Sequence, residues 1–316
     1  MKRVVVLASI VMASIVAATW TSLNAQQPAA GQGREGGAGR GAAPGAGVGA
    51  AQKVANNLFM IPGAGGNTAA FVTANGVVLV DTKLANNGQA ILAQVRTVTD
   101  KVITHIINTH THGDHNGSNQ FFPPSVEVVT HENTQANMKK MEVFQQPANS
   151  HGMPDRTFKD RVTLLSGAES IDLYYFGAAH TNGDAFVVFR NARVLHAGDA
   201  FANKGQPNID LPNGGSGIAY PDTLAKASTT IKDIDIIIGG HSPMLMKPQD
   251  LADQAEFTRL MLAQARTSVK AGQTPEQAMM DFRAKLPAKF ADYNLAPGRG
   301  GPGGAFVALF EELRRP

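Results

Sequence analysis

The stretch "INTHTHGDHNGSN", residues 107–119, places three histidines and an aspartate within six positions. The chain has nine histidines in all, so a third of them stand here. His110 and His112 are two apart, just past "VITHIIN", which reads as a buried strand. In extended chain such residues point to one side, and two imidazoles on one side can hold one metal ion. Asp114 and His115 follow Gly113, which lets the backbone turn, so these two side chains can face a second position. Histidine and aspartate so spaced suit a zinc-like ion held by nitrogen and oxygen. One cluster does not close a metal site, and further ligands have to come from elsewhere in the chain.

Three further candidates lie downstream, each just after an apolar run. His180 stands in "YYFGAAHTNGD", Asp199 in "VLHAGD" and His241 in "IIIGGH". Small residues before each let backbone approach a crowded site. A single loop histidine carries little weight; the shared order and strand-end placement join these three to the cluster. Among the remaining histidines, His105 lies inside a strand and is expected to be a satisfied core residue. His131 ends a strand. His151 sits in a predicted loop over 143–160, from which it could reach a substrate groove. His196 precedes Asp199 by three residues and is a candidate to orient it.

The same pattern of apolar runs organises the chain. "LFMI", "TAAFVTA" and "GVVLVDT" read as strands, with Asn75-Gly76 as a hairpin turn. Ile91, Leu92, Val95 and Val98 at helical spacing predict a helix over 86–99. "VEVVTH" predicts a strand and 132–142 a helix. A second half follows with "VTLL", "IDLYYF", "AFVVF", "RVLHA" and "IDIIIGG", a helix over 221–231, and helices over 249–270, 274–285 and 304–314. Two such halves predict two sheets packed face to face with helices outside.

The N-terminal part reads differently. Residues 1–25 open with Lys2 and Arg3 and continue in an uncharged apolar run, the pattern of a secretory signal peptide cleaved after Ala25. An uncleaved membrane anchor is the alternative. Residues 26–52 are nearly all Gly, Ala, Gln and Pro, and are read as a flexible linker. The folded domain is expected over 53–316, with its C-terminal helices from about 247. Loss of Lys2 and Arg3 would take the 28 basic residues to two fewer against 25 acidic ones, leaving a charge too small to argue for nucleic acid. No cysteine is present, which fits an exported protein without disulfides and excludes thiolate ligands and a cysteine nucleophile.

"HTHGDH", "GAAHTNGD", "HAGD" and "GGH", with Asp81 ending "VVLVD", resemble the five sequence motifs of the metallo-β-lactamase superfamily. The resemblance covers roughly residues 54–245. It implies an α+β four-layer αββα sandwich with a metal site at the edge between the two sheets. It further implies that His110, His112 and His180 hold a first ion, that Asp114, His115 and His241 hold a second, and that Asp199 bridges both. Asp81 would orient the "HTHGDH" loop through hydrogen bonds.

The resulting expectation is an exported, periplasmic or secreted hydrolase with two zinc ions per chain. A metal-bound hydroxide would attack an ester, lactone or amide carbonyl, β-lactams included, with Asp114 and Asp199 in catalytic roles. An aspartate at position 199 points away from the true β-lactamases, which generally carry cysteine or serine there, and toward thioesterases, lactonases, nucleases and phosphodiesterases, of which the nuclease branch needs an extra domain for which this chain lacks room. Two other readings stay open: an iron-dependent oxidoreductase of the same fold, and a metal-binding protein without turnover. The partner is expected to be a small-molecule substrate, with no nucleic acid, and with a membrane only through the signal segment. Lys204 is a candidate for a substrate carboxylate, and the glycine-rich 211–217 stretch is expected to be a mobile loop near the site.

Overall fold

The structure is a computed structural model that describes residues 47–296 and 301–315. The expected signal segment, and the expected linker up to residue 46, lie outside the described residues.

Strands β3 (Thr68–Val72) and β4 (Val77–Val80) form the hairpin expected around Asn75-Gly76, and the Thr73 amide donates to the Gly76 carbonyl at 2.8 Å. Both strands are apolar on both faces because both faces are covered. Ala69, Phe71, Val78 and Val80 point into the space between two sheets. Ala70, Val77 and Leu79 point outward, onto a helix. The alternation follows from the period of two along a strand.

β3 and β4 belong to a seven-stranded sheet that also holds β1 (Gln52–Ala55), β2 (Leu58–Ile61), β5 (Ile103–Ile107), β6 (Glu127–His131) and β7 (Arg156–Phe158), in sequence order. β1 to β4 pair antiparallel, and β4 to β7 pair parallel. The second sheet has the order β12 (Ile236–Ile238), β11 (Val194–His196), β10 (Phe186–Phe189), β9 (Ile171–Tyr174) and β8 (Arg161–Leu164). There only β11 and β12 run parallel. The inner faces interlock, with the rings of Phe71 and Phe189 5.2 Å apart across the sheets.

Helices complete the four layers. Ile91 and Val95 of α1 (Gly88–Arg96) cover the outer face of the first sheet. Short helices α2 (Gly113–Asn116), α3 (Glu132–Met138) and α4 (Glu142–Gln145) lie in its connections. The outer face of the second sheet is covered by α5 (Tyr220–Thr230), α6 (Pro248–Lys270), α7 (Pro275–Lys285) and α8 (Ala305–Leu313). Thr274 and Gln277 close α7 at its start as a reciprocal capping box. Among the described residues, no helix is long and apolar enough to cross a membrane.

Two expectations change. The helix read over 132–142 stops at Met138 and resumes as α4. The 143–160 loop contains β7, whose "RTF" carries one buried residue and two exposed ones. An edge strand that short has no period to read.

Candidate metal centre

Strand ends from both sheets meet at one place. Asp81 follows β4, the histidine cluster follows β5, His180 lies in the β9–β10 connection, Asp199 follows β11 and His241 follows β12. The four segments from "HTHGDH" to "GGH" are brought together as the sequence order suggested. Their side chains form two groups, His110, His112, His180 and Asp199 in one, and Asp114, His115 and His241 in the other.

The inward-facing atoms are spaced as ligands of a small cation would be. His180 Nε2 is 2.9 Å from His112 Nδ1, and His115 Nε2 is 3.2 Å from His241 Nε2. Asp199 reaches both groups: its carboxylate lies 3.7 Å from His180 Nε2, 3.3 Å from His115 Nε2 and 3.3 Å from His241 Nε2. Asp114 Oδ2 is 3.3 Å from His241 Nε2. Tetrahedral ligands at about 2.0–2.1 Å from an ion stand roughly 3.4 Å from one another, which matches these spacings. His110 Nε2 is buried and has no hydrogen-bond partner, a costly state for a polar atom unless something cationic or protic takes its lone pair.

The outer nitrogens are already committed. His115 Nδ1 pairs with Asp81 Oδ2 at 2.7 Å, and the same carboxylate accepts from the Thr109 amide and hydroxyl, both at 2.8 Å. His110 Nδ1 meets Thr109 Oγ1 at 2.9 Å, His180 Nδ1 meets the Asn208 carbonyl at 2.8 Å, and His112 Nε2 meets Asp210 Oδ2 at 2.6 Å. A ring nitrogen that donates outward leaves the other nitrogen's lone pair facing inward. Asp81 itself holds a left-handed backbone, φ 63°.

Electrostatics separate the groups. Burial, and then the imidazoles of His115 and His180, hold His110 well below the ordinary histidine value. Burial and His112 lower His180 to about 4. Both are neutral at neutral pH, the form that ligates metal. Burial also pulls on His115 and His241, but carboxylates override it: Asp199 and Asp81 raise His115, and Asp114 and Asp199 raise His241 to about 9. Burial pushes Asp199 up, yet His115 and His241 hold it well below the carboxylate range. Without an ion, the protonated rings of His115 and His241 supply the positive charge between these carboxylates, and a cation bound there would have to displace their protons.

The backbone approaches as closely as the small residues permit. A Cβ on Gly240 would stand 2.0 Å from Asp199 Oδ1, and one on Gly66 would stand 2.2 Å from His115 Cε1. Neither position admits a side chain.

The family model of the Metallo-beta-lactamase superfamily matches residues 62–241. The chain belongs to this superfamily. Among solved structures it is similar to the metallo-beta-lactamase from Pontibacter korlensis, with 19% identity and a TM-score of 0.54 over 66% of this chain and 98% of that one. DIM-1 metallo-beta-lactamase is 17% identical, with the same TM-score of 0.54 and coverage of 66% and 98%. The stereoselective inverting sec-alkylsulfatase Pisa1 from Pseudomonas sp. is 14% identical, with a TM-score of 0.69 over 84% of this chain and 50% of that one.

In this metallo-β-lactamase fold the other candidates take structural places. His105 is partly exposed and pairs with Glu127 on the neighbouring strand at 3.3 Å, so it is not the core residue expected. His131 is buried, donates to the Lys159 carbonyl at 2.7 Å and stacks on Tyr175. His151 meets the Gln120 carbonyl at 2.9 Å and does not line the pocket beside the cluster. His196 bonds the Asn67 carbonyl at 3.0 Å and accepts from the Gly198 amide, next to Asp199. Lys204 is taken by Asp250 at 2.8 Å and Asp292 at 3.4 Å and does not line the pocket beside the cluster. The 211–217 stretch is pinned: the Gly215 amide donates to the Asp210 carbonyl at 2.8 Å, and the Ser216 amide to Ala179 at 3.0 Å.

Three residues escaped the sequence reading. Asp210 lies 98 positions from the histidine it holds, with nothing in "NIDL" to mark it. Asp184, at the end of "GAAHTNGD", accepts from the Thr181 amide and hydroxyl at 2.8 and 2.7 Å and so shapes the His180 loop. Lys83 is fully buried and donates to the carbonyls of Ile61 at 2.7 Å and Gly66 at 2.9 Å. Its position directly after "VVLVDT" was the one available signal.

Proposed function

We propose that this protein is an exported hydrolase that uses two zinc ions per chain to cleave a small ester, lactone or amide. The observation that carries the reading is the inward convergence of five imidazoles and two carboxylates, with four rings held from behind, at the floor of a pocket of about 550 Å³. Such preorganisation is costly and has no use in a merely structural loop.

His110, His112 and His180 would hold one ion, and Asp114, His115 and His241 the other, with Asp199 between them. Zinc bound there supplies Lewis acidity and lowers the pKa of water to about 7, so that a nucleophile exists at neutral pH. The chain's own residues do the rest. Asp199 sets its negative charge between two positions that would repel each other. Asp114 and His241 border the pocket, where Asp114 can take the proton of the attacking water and pass it to the leaving atom. Asp81 keeps His115 and the Thr109 turn in register throughout. Export rests on the composition of residues 1–25 and places the enzyme in the periplasm or outside the cell.

Elemental analysis of the purified mature protein, paired with a hydrolysis screen, tests the reading. The screen holds a chromogenic cephalosporin, a lactone, a thioester and a secondary alkyl sulfate, the last because one similar structure is that of a sec-alkylsulfatase. Two zinc per chain and metal-dependent turnover, lost in Asp199→Ala, are expected. One iron per chain and no hydrolysis would replace the reading with an iron-dependent oxidoreductase.

A further inference from the structure

The ligand-type residues form only the floor of the pocket. One wall is the segment after Asp199, which presents Ile209, Leu211 and Pro212 beyond the amides of Gln206 and Asn208; another is α8, which presents Ala305, Val307 and Ala308. The opposite side of α8, with Phe306, Leu309 and Phe310, is sunk in the core under the second sheet. Glu312 of α8 accepts from the Ser216 hydroxyl and the Ile218 amide, and Gln206 accepts from the Ala305 amide at 3.0 Å. The two walls are therefore tied together across the pocket.

Their charge is as informative as their shape. Among the described residues no lysine or arginine lines the pocket. Lys204, the lysine of the first wall's own segment, is turned away to Asp250 and Asp292. Glu311 at the rim is paired with Arg315 at 2.7 Å, so that among the described residues the rim offers no uncompensated cation. A carboxylate moved from water onto such walls loses hydration and finds no cationic partner among the described residues, whereas each methylene buried there gains about fourfold in binding.

We propose that the space between α8 and Ile209–Pro212 is a subsite for an uncharged aliphatic group of the substrate, and that it selects against substrates carrying a carboxylate on that side. The proposal rests on the hydrolase reading for the bond that is cut, but the subsite can be measured without turnover.

The metal-containing protein is assayed with p-nitrophenyl acetate, butyrate and octanoate, and with p-nitrophenyl hydrogen succinate as the charged counterpart of the butyrate. kcat/KM is expected to rise at least about tenfold from acetate to octanoate, and to fall at least about tenfold from butyrate to hydrogen succinate. Val307 is 38% exposed, so Val307→Asp keeps the fold, which its melting temperature checks, and lowers the octanoate-to-acetate ratio about fivefold or more. Calorimetry of 1-octanol against 1-butanol reads the same subsite directly, with octanol bound at least about tenfold more tightly and the difference reduced in the variant. A flat chain-length profile, or hydrogen succinate cleaved as well as butyrate, overturns the subsite and leaves the hydrolase reading standing. If no ester is cleaved, the hydrolase reading is decided by its own substrate screen and the alkanols decide the subsite alone: equal binding of octanol and butanol overturns it.

Discussion

The two ligand groups are built from the same side chains and are held in opposite ways. His110 and His180 are wholly buried, and each ring of the first group has its outer nitrogen on a protein partner. In the second group His115 is buried and braced by Asp81, but Asp114 is 19% exposed, and His241 is 37% exposed and makes its polar contacts through Nε2 alone. The first group is set by the protein before any ion arrives. The second group is half set, and its loose members border the pocket. His112 and Asp199 of the first group line the pocket as well, so the groups differ in how firmly their members are held rather than in which of them faces the opening.

The largest test breaks the braced half of the second group. Asp81→Asn keeps the shape of the side chain, but one amide oxygen cannot accept from the Thr109 amide, the Thr109 hydroxyl and His115 together. Metal affinity of the second group is expected to fall by up to about 100-fold, measured by competition with a chromophoric chelator, and the melting temperature falls with it. An unchanged affinity would show that His115 needs no brace. Asp210→Asn is the milder counterpart in the first group. Its carbonyl still accepts from His112 Nε2, while the charge and the second oxygen's weak 3.4 Å bond from the Asn213 amide are lost, so an effect of about 10-fold, confined to the first ion, is expected. If both variants weaken both ions equally, the two groups are one unit and the comparison fails.

The last test concerns the strap behind the second group. Lys83 ties Gly66, whose backbone lies against His115, to the interior. Burial lowers its pKa to about 7, and Asp81 offsets only part of that. An unfolded lysine takes up its proton as pH falls through about 10.5, whereas the folded one waits until about 7. Folding therefore loses stability between those two values as pH falls, and gains it as pH rises. Relative to Lys83→Met, the native protein should melt at a higher temperature at pH 9.5 than at pH 7. Parallel melting curves across that range would mean that Lys83 stays charged when buried.

The same contrast marks what could be read ahead of the structure. "HTHGDH", His180, Asp199 and His241 were legible because metal-ligand residues are rare, dense and placed at the ends of apolar runs. The strands with a covered face on each side, β4 and β5, were legible as well, while β7 was not, since an exposed three-residue edge has no pattern. His105 illustrates the limit: its place in an apolar strand suggested burial, but its neighbour across the sheet is Glu127, and register is a tertiary fact.

By itself the sequence determined the ligand-type residues, the order in which they occur and the alternation of buried faces, because these depend on residue chemistry and short-range period. Only the tertiary structure decided which carboxylate backs which imidazole, as with Asp210 behind His112, that Lys204 faces acids rather than the pocket, and that α8 forms one of the pocket's walls. Those pairings join residues tens of positions apart through packing of the two sheets and their helices, and no local pattern records which distant surfaces will meet.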